Sequence, residues 1–139
     1  MVIGLNHLTL STLDIERSFN FYQNVLACKP LAKWKRGAYL LAGDLWLCLS
    51  LDLSVDRKLI SQEYTHYAFS VEPEEFEYYC QNIKKLKLRL WKKNTSEGDS
   101  LYILDPDNHK LELHVGNWQT RLNAVKHNPY EEIVFFDQT

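Results

Sequence analysis

The sequence lacks the features that mark membrane proteins and nucleic-acid-binding proteins. No apolar run is long enough to cross a bilayer. The formal charge is only −2, and the 16 Lys and Arg residues are spread along the chain. A dense basic surface for nucleic acid or an anionic membrane is therefore not expected. The first residues also lack the cationic and apolar regions of an export signal, so we expect a cytoplasmic protein.

Cysteine is scarce, and the three cysteines do not form close pairs. Cys28, Cys48 and Cys80 are an odd, scattered set, unlike the paired cysteines of a zinc ribbon. In a reducing compartment such thiols stay unpaired, and we interpret all three as small apolar residues. Hydrophobic residues make up 45% of the 139 positions, which is enough for the core of a compact domain.

An internal repeat organises the chain. Residues 5–11 alternate apolar positions around His7, and residues 64–70 do the same around His66, 59 positions later. This alternation predicts a strand in each case. A helical pattern follows each strand, and its apolar positions are Ile15, Phe19, Tyr22 and Leu26 in the first copy and Phe76, Cys80, Ile83 and Leu86 in the second. Pro73 suits the start of the second helix.

Short strands are predicted after each helix. They cover about 30–35, 38–42 and 45–51 in the first copy, and 88–93, 100–104 and 109–115 in the second, with turns at 43–44 and 107–108. Any two amphipathic β-α units resemble each other in short windows, but here five elements agree in order. The sequence therefore predicts one α+β domain of paired β-α-β-β-β modules, at about 1–55 and 60–116, followed by a tail at 117–139.

Two histidines and one glutamate occupy matching places in these modules. Glu112 and His114 share one face of the last strand. If a pseudo-twofold axis relates the modules, then His7, His66 and Glu112 converge, with Cys48 at the position that matches Glu112. A single strand histidine is more often an ordinary core or surface residue, but this set favours an open catalytic metal site. Manganese, iron and zinc all remain possible metals for such a set.

The second module is slightly longer than the first. Cys48 and Glu112 are 64 positions apart, against 59 for the two histidines. About five extra residues must therefore lie in the second module, and we place most of them in the polar loop 94–99. An inserted polar loop beside a metal site is a candidate substrate contact.

Several segments together resemble the glutathione-dependent fosfomycin resistance transferases. They are Leu-Asn-His-Leu-Thr-Leu at 5–10, Gly-Ala-Tyr-Leu at 37–40, Leu-Trp-Leu-Cys-Leu-Ser at 45–50, Tyr-Thr-His-Tyr-Ala-Phe at 64–69, Ser-Glu-Gly-Asp-Ser at 96–100, and 104–116 around Asp-Pro-Asp-Asn-His. The resemblance runs in order from about residue 4 to about residue 130. Asn108 stands where this family usually has glycine, a change that a left-handed turn tolerates. Residues 51–62 and the tail after Arg121 match weakly.

The resemblance implies a vicinal oxygen chelate fold in a domain-swapped homodimer, in which the paired modules come from different subunits. It implies that the protein adds glutathione to the oxirane ring of fosfomycin, with Mn(II) as the metal and K⁺ as an activator. The implied metal ligands are His7, His66 and Glu112, and Thr9 is the implied catalytic hydroxyl near the oxirane oxygen. The other implied substrate contacts are Trp46, Tyr64, Lys92, Ser96, Ser100, Tyr102 and Arg121. The implied potassium site consists of Asn94, Ser96, Gly98 and Ser100.

Other functions remain open from the residues alone. A related enzyme could open the same epoxide with water or another thiol, using the same metal and phosphonate sites. Two histidines and a glutamate also suit a non-haem iron dioxygenase or a glyoxalase. A metal-free protein that sequesters a drug on the same scaffold would need no such ligand set.

Overall fold

The computed structural model describes residues 1–138, which form two four-stranded sheets and three helices. The first module contains β1 (His7–Thr12), α1 (Ile15–Asn24), β2 (Lys29–Trp34), β3 (Gly37–Ala42) and β4 (Leu45–Leu51). The second module contains β5 (Tyr67–Ser70), α2 (Pro73–Lys85), β6 (Leu90–Lys92), β7 (Ser100–Leu104) and β8 (Lys110–His114). The helix α3 (Trp118–His127) follows. The predicted α+β architecture is confirmed.

The two sheets have the same topology. Their strand orders are β1-β4-β3-β2 and β5-β8-β7-β6, and in each the first and last strands of the module run parallel. Thr9 pairs with Cys48 in the first sheet, and Ala68 pairs with Glu112 in the second. Since Ala68 lies 59 positions after Thr9, the strand register matches the repeat that the sequence predicts.

The cross-strand pairs also locate the extra residues of the second module. Ala32 pairs with Tyr39, seven positions later, whereas Lys92 pairs with Tyr102, ten positions later. Three of the five extra residues therefore lie in the connection between β6 and β7. This outcome confirms that most of the insertion falls in the polar loop.

Local sequence signals account for the helix ends. The side chain of Asp14 caps α1 by accepting a hydrogen bond from the Arg17 backbone N–H at 3.0 Å. Pro73 occupies the first turn of α2, where a missing N–H costs nothing. After the two helices, Ala27 (φ 55°) and Lys87 (φ 53°) adopt the left-handed conformation at matching places. The repeat thus extends to the backbone turns that leave each helix.

One hydrophobic core joins the two modules. It includes Leu10 and Leu47 of the first sheet, Leu111 of the second, and residues of both α1 and α2. Because successive strand side chains point to opposite faces, the alternate residues lie on the other side of each sheet. We call these two surfaces the site faces; they carry His7, Thr9, Trp46 and Cys48 on the first sheet and His66, Ser100, Tyr102 and Glu112 on the second.

The buried carboxylate of Asp107 fastens the β7–β8 turn of the second module to the first module. It accepts hydrogen bonds from the hydroxyls of Thr12 (2.5 Å) and Ser18 (2.9 Å), from the Leu13 backbone N–H (3.0 Å) and from Arg17 (2.9 Å). Desolvation alone would raise the pKa of Asp107, but these donors outweigh it and lower the pKa below its usual value.

A second carboxylate in the same turn, Asp105, has a pKa shift in the opposite direction. It accepts a hydrogen bond from the Tyr22 hydroxyl at 2.6 Å, and the neighbouring His109 ring lies 2.8 Å from the Ser11 carbonyl. Burial, which is its largest influence, raises the pKa of Asp105 above the usual value. Asp105 and Asp107 together form what we call the inter-module clasp.

Helix α3 is a structural element that the sequence prediction missed. Asn117 caps it in a reciprocal pair with Thr120. Val125 is the one buried residue of this helix, so its amphipathic pattern is too weak to stand out. Among residues 1–138, no helix is long and apolar enough to pass through a membrane.

Candidate active site

Glu112 lies at the centre of the site face of the second sheet. Its strand neighbours are Ala68 on β5 and Tyr102 on β7, and the residue is only 6% exposed. Its Oε2 lies 3.0 Å from His66 Nε2, and its Oε1 accepts a hydrogen bond from the Ser100 hydroxyl at 2.7 Å. The two second-module residues predicted as metal ligands are therefore in direct contact.

The contacts of His66 determine which of its nitrogens faces Glu112. His66 Nδ1 lies 2.8 Å from the Tyr64 carbonyl oxygen, which can only accept, so Nδ1 carries a proton. Aromatic rings of Tyr64 and Trp91 pack against the imidazole at centroid distances of 4.9 and 5.4 Å. Nε2 and the carboxylate oxygen are thus held together as two electron-pair donors, an arrangement that a proton or a cation between them satisfies. This donor pair fits a divalent metal ion.

His7 lies on the site face of the first sheet. Its Nδ1 is 2.7 Å from Asn6 Oδ1, and its ring packs on Trp46 at a centroid distance of 4.9 Å. Within residues 1–138 of one chain, no three His, Cys, Asp or Glu side chains form a metal-binding cluster. A single chain therefore brings together His66 and Glu112, but not His7 or Cys48. The sequence predicts that all four converge if a pseudo-twofold axis relates the modules, and such an axis does not bring them together within one chain.

The site face of the first sheet offers hydrogen-bond donors to a ligand. Thr9 is exposed there, two residues after His7, and pairs with Cys48 on β4. Trp46 packs edge-on against Tyr39 at 5.1 Å, and its Nε1 is buried without a hydrogen-bond partner among the described residues. An unsatisfied buried N–H is costly, so this position favours contact with a polar ligand.

The four residues predicted to bind potassium lie in one hydrogen-bonded loop. Asn94 Oδ1 accepts from both the backbone N–H and the hydroxyl of Ser96 at 2.8 Å. Asn94 Nδ2 donates to the Gly98 carbonyl at 2.8 Å, and the hydroxyls of Ser96 and Ser100 are 3.4 Å apart. Amide, hydroxyl and carbonyl oxygens are the ligands that hard cations prefer.

Two cationic side chains flank this loop. Lys92 Nζ lies 2.9 Å from the Thr95 hydroxyl and 4.6 Å from the centroid of the Tyr102 ring. Arg121, on α3, forms an ion pair with Glu97 of the loop. Desolvation would raise the pKa of Glu97, but the Arg121 guanidinium and neighbouring groups lower it below its usual value. The structure thus brings Lys92, Ser96, Ser100 and Tyr102 together on one hairpin, with Arg121 joined to it through Glu97.

Burial also perturbs Tyr102, the aromatic residue next to Glu112. Desolvation and, after it, the charge of Glu112 raise the pKa of this phenol, while hydroxyls of Ser96 and Ser100 oppose the shift. A phenol with a raised pKa keeps its proton and remains a hydrogen-bond donor at neutral pH.

Sequence reasoning missed three residues of this site. Trp91 packs on His66 and donates its indole N–H to the Leu111 carbonyl at 2.9 Å. Glu97 links Arg121 to the loop, and His114 Nδ1 lies 2.7 Å from the Ser100 hydroxyl. The sequence does place His114 on the same face as Glu112, but no spacing in the chain reveals its contact with Ser100.

Comparison with known proteins places this architecture in a family. The description Glyoxalase/Bleomycin resistance protein/Dioxygenase superfamily matches residues 4–113. Relatives that match nearly their whole length include solved fosfomycin resistance proteins. The chain belongs to this superfamily and, within it, to the fosfomycin resistance proteins. The resemblance stated from the sequence is confirmed.

Three relatives illustrate the match. A glutathione transferase FosA of Serratia marcescens is 46% identical over 138 residues, which cover 97% of this chain and 96% of the relative. A metallothiol transferase FosB of Staphylococcus saprophyticus is 39% identical and covers 91% of this chain and 85% of the relative. A FosX structure from Listeria monocytogenes, that of a mutant in complex with Mn(II) and a dihydroxypropylphosphonic acid, has a TM-score of 0.75 at 30% identity, covering 88% of this chain and 99% of its own.

Proposed function

We propose that this fosfomycin resistance protein inactivates fosfomycin by metal-dependent addition of glutathione to the oxirane ring. The observation that carries the proposal is the unbroken series of polar contacts from His66 and Glu112, through Ser100, to a cationic and oxygen-rich loop. A metal donor pair and an anion-binding loop side by side suit a substrate that bears both an epoxide and a phosphonate. The 46% identical relative is itself named a glutathione transferase.

His7, His66 and Glu112 would hold the divalent ion, which we propose to be Mn(II). A FosX relative binds Mn(II) in its crystal structure. When bound, the ion supplies Lewis-acid stabilisation of negative charge on the oxirane oxygen. His66 and Glu112 are already oriented for this role by the Tyr64 carbonyl and by the Ser100 hydroxyl.

Because His7 lies on the first sheet, we propose that it reaches the ion of a second copy of the chain. The functional unit is then a domain-swapped homodimer, in which the first module of one subunit faces the second module of the other. Each of the two sites in that dimer takes His7, Thr9 and Trp46 from one subunit and His66 with Glu112 from the other. Neither subunit alone has a complete site.

The phosphonate brings roughly two negative charges into a partly desolvated pocket, which needs compensation. Lys92 and Arg121 provide two positive charges, and the guanidinium can bind two phosphonate oxygens at once. The loop oxygens of Asn94, Ser96 and Gly98 would bind K⁺, which adds a third. Ser96 and Tyr102 add hydrogen bonds, while Tyr64 and Trp46 line the pocket.

Thr9 is the proposed hydroxyl donor to the oxirane oxygen. The glutathione thiol loses its proton, its sulfur bonds to a ring carbon as the bond from that carbon to oxygen breaks, and the resulting alkoxide takes up one proton, so the product is the sum of the two reactants. A hydroxyl at this oxygen stabilises the developing charge. The side chains around the phosphonate orient the ring for attack from the opposite face.

Mass spectrometry of fosfomycin after incubation with the protein, Mn(II), K⁺ and glutathione tests the proposal. The expected product has the summed mass of fosfomycin and glutathione, and omission of thiol leaves fosfomycin unchanged. A diol formed without thiol would instead establish hydrolysis, which is the alternative that the diol phosphonate bound to the FosX mutant supports. Preference for cysteine over glutathione would assign a different thiol. Glu112→Gln is the negative control.

A further inference from the structure

His114 is a partly buried imidazole that the proposed ligand set does not use. Its ring is next to Glu112, with Nδ1 3.4 Å from Oε1, and its side chain is 15% exposed. The closest polar contact of Nδ1 is the hydroxyl of Ser100 at 2.7 Å. The same hydroxyl lies 2.7 Å from Glu112 Oε1. Ser100 therefore stands between a carboxylate and an imidazole.

The proton count at Ser100 fixes the direction of both hydrogen bonds. A serine hydroxyl has one proton to donate, and a carboxylate oxygen can only accept. Ser100 therefore donates to Glu112. The short contact with His114 is then a hydrogen bond only if Nδ1 is the donor, which gives the chain Nδ1–H to Ser100 Oγ–H to Glu112 Oε1. The opposite tautomer would place two lone pairs against each other across the 2.7 Å contact.

The backbone around His114 is shaped to hold this ring in place. A Cβ added to Gly98 would lie 2.6 Å from the Val115 carbonyl oxygen and 3.1 Å from His114 Cε1. A Cβ added to Gly116, whose φ is +126°, would lie 3.2 Å from His114 Nε2. The Nε2 side faces Glu97 at 3.9 Å. The imidazole thus occupies a slot between two glycines. A residue with a Cβ at either position would crowd the ring.

We infer that His114 is a positioning residue. By donating Nδ1–H to Ser100, it leaves the Ser100 hydroxyl to donate its proton to Glu112 and to direct its remaining lone pair toward the loop. This inference deepens the proposed function and rests on it for the identity of the loop cation. Ser100 then meets the loop only as an electron-pair donor, toward Ser96 at 3.4 Å. It is suited to bind K⁺ and unsuited to donate a hydrogen bond to a phosphonate oxygen. Its contact with the phosphonate is through the cation, whereas Ser96, whose hydroxyl donates to the exposed Asn94 at 2.8 Å, can exchange that partner for a phosphonate oxygen.

The tautomer is measurable without catalysis, by NMR of the full chain labelled with ¹⁵N-histidine and free of Mn(II). The protein has five histidines, and the His114 signals are assigned by their loss in His114→Asn. The inference requires that the neutral His114 ring carries its proton on Nδ1, so spectra are recorded at increasing pH until the ring holds a single proton. A bare Nδ1 with a proton on Nε2 alone would overturn it.

A matched pair of substitutions tests the positioning role. His114→Asn keeps an N–H donor near the place of Nδ1, whereas His114→Leu removes it. We expect His114→Leu to raise the K⁺ concentration for half-activation by about tenfold, the upper end of what one lost hydrogen bond between neutral groups contributes, with a smaller change in the KM for fosfomycin. His114→Asn should recover most of that loss. Equal losses in the two variants, or a change confined to the KM for fosfomycin, would contradict the inference.

Stabilisation by K⁺ is a second readout that needs no turnover. Wild-type protein should show a higher Tm in KCl than in NaCl of equal ionic strength, and His114→Leu should lose that difference while His127→Asn, on the exposed end of α3, keeps it. If the wild type gains nothing from K⁺, the potassium part of the proposed function is wrong, and the NMR result still decides the tautomer. If K⁺ stabilises both His114 variants equally, the positioning role is wrong and the proposed function stands.

Discussion

The two site faces of this protein share a fold but differ in what stands at their centre. In the first sheet the central position is Cys48, flanked by Thr9 and Tyr39, and in the second it is Glu112, flanked by Ala68 and Tyr102. Glu112 is fixed by hydrogen bonds to neighbouring side chains. His7, in contrast, is exposed, and its Nδ1 contacts the adjacent Asn6.

The two modules share one scaffold but present different chemical groups on their site faces. The second module carries the adjacent side chains of His66 and Glu112, the three-residue insertion and Lys92, and Arg121 of α3 is joined to its loop. The first module offers the imidazole of His7, the hydroxyl of Thr9 and the indole N–H of Trp46, which has no hydrogen-bond partner among residues 1–138. We propose that the inserted loop, together with Lys92 and Arg121, provides the capacity for anions.

The largest difference in effect is expected between substitutions of the two central residues, Glu112 and Cys48. Glu112→Gln keeps the shape of the side chain but removes its charge, and we expect thiol addition to fall by a factor on the order of 10³ because Mn(II) affinity is lost. Cys48→Ser should stay within about threefold of wild type. Steady-state rates with a Mn(II) titration measure both. Full activity of Glu112→Gln would refute the metal assignment, as would full activity of His66→Ala.

The inter-module clasp should dominate stability. Asp107→Asn leaves four donors of the first module without a charged acceptor, and we expect the free energy of unfolding to fall by about 2 to 3 kcal/mol. Since the folded-state pKa of Asp107 is lowered, its stabilisation is present above the unfolded pKa of about 3.9 and is lost as the pH falls through the folded value. Urea unfolding of both proteins from about pH 7 to pH 3 tests this, and a difference that grows on acidification would contradict it.

Asp105 provides the matched control with the opposite sign. Its folded-state pKa is raised, so the stability it contributes is present below the unfolded pKa and is lost as the pH rises through the folded value. In Asp105→Asn this decline between about pH 4 and the raised value should disappear. An unchanged pH dependence would show that Asp105 does not titrate as its surroundings imply.

The cationic contribution beside the loop can be isolated through Arg121 on α3. Arg121→Ala should raise the KM for fosfomycin by about tenfold, the loss of one charge-assisted contact, while the KM for glutathione changes little. Initial rates with each substrate varied in turn measure the two constants. The opposite ordering would assign Arg121 to the thiol site.

A smaller effect is expected from the first-module hydroxyl. Thr9→Ala should lower kcat by about fivefold, because one neutral hydrogen bond contributes about 1 kcal/mol, and Thr9→Ser should restore it. A fall confined to KM would place Thr9 in binding rather than in the chemical step.

The fold could be predicted because its signals are local and repeated. Alternation predicts β1 and β4, Pro73 predicts the start of α2, and the offsets of 59 and 64 positions predict the longer loop. Asn108, with a φ of +64°, adopts the left-handed conformation that the family resemblance predicts at this turn. Helix α3 was missed because its one buried residue, Val125, gives almost no periodic pattern. The Asn117–Thr120 capping pair was the signal that could have revealed it.

The candidate site was less accessible to sequence reasoning. His66 immediately precedes β5, and Glu112 lies on β8, which pairs with β5, so the strand pattern of the repeat predicts that the two residues are close. Trp91, Glu97 and His114 act through contacts between different strands and the loop, and these depend on a register that the sequence does not fix. Whether His7 meets His66 depends on assembly, which no pattern within a single chain encodes.

The shared site between two subunits is tested most directly by a purified heterodimer of one His7→Ala chain and one Glu112→Gln chain, carrying different affinity tags. If each ion takes His7 from one subunit and Glu112 from the other, one site of the heterodimer is intact and the other is doubly altered, and activity should recover to about half that of wild type. Each variant homodimer should stay inactive. A heterodimer as inactive as both parents would contradict the account.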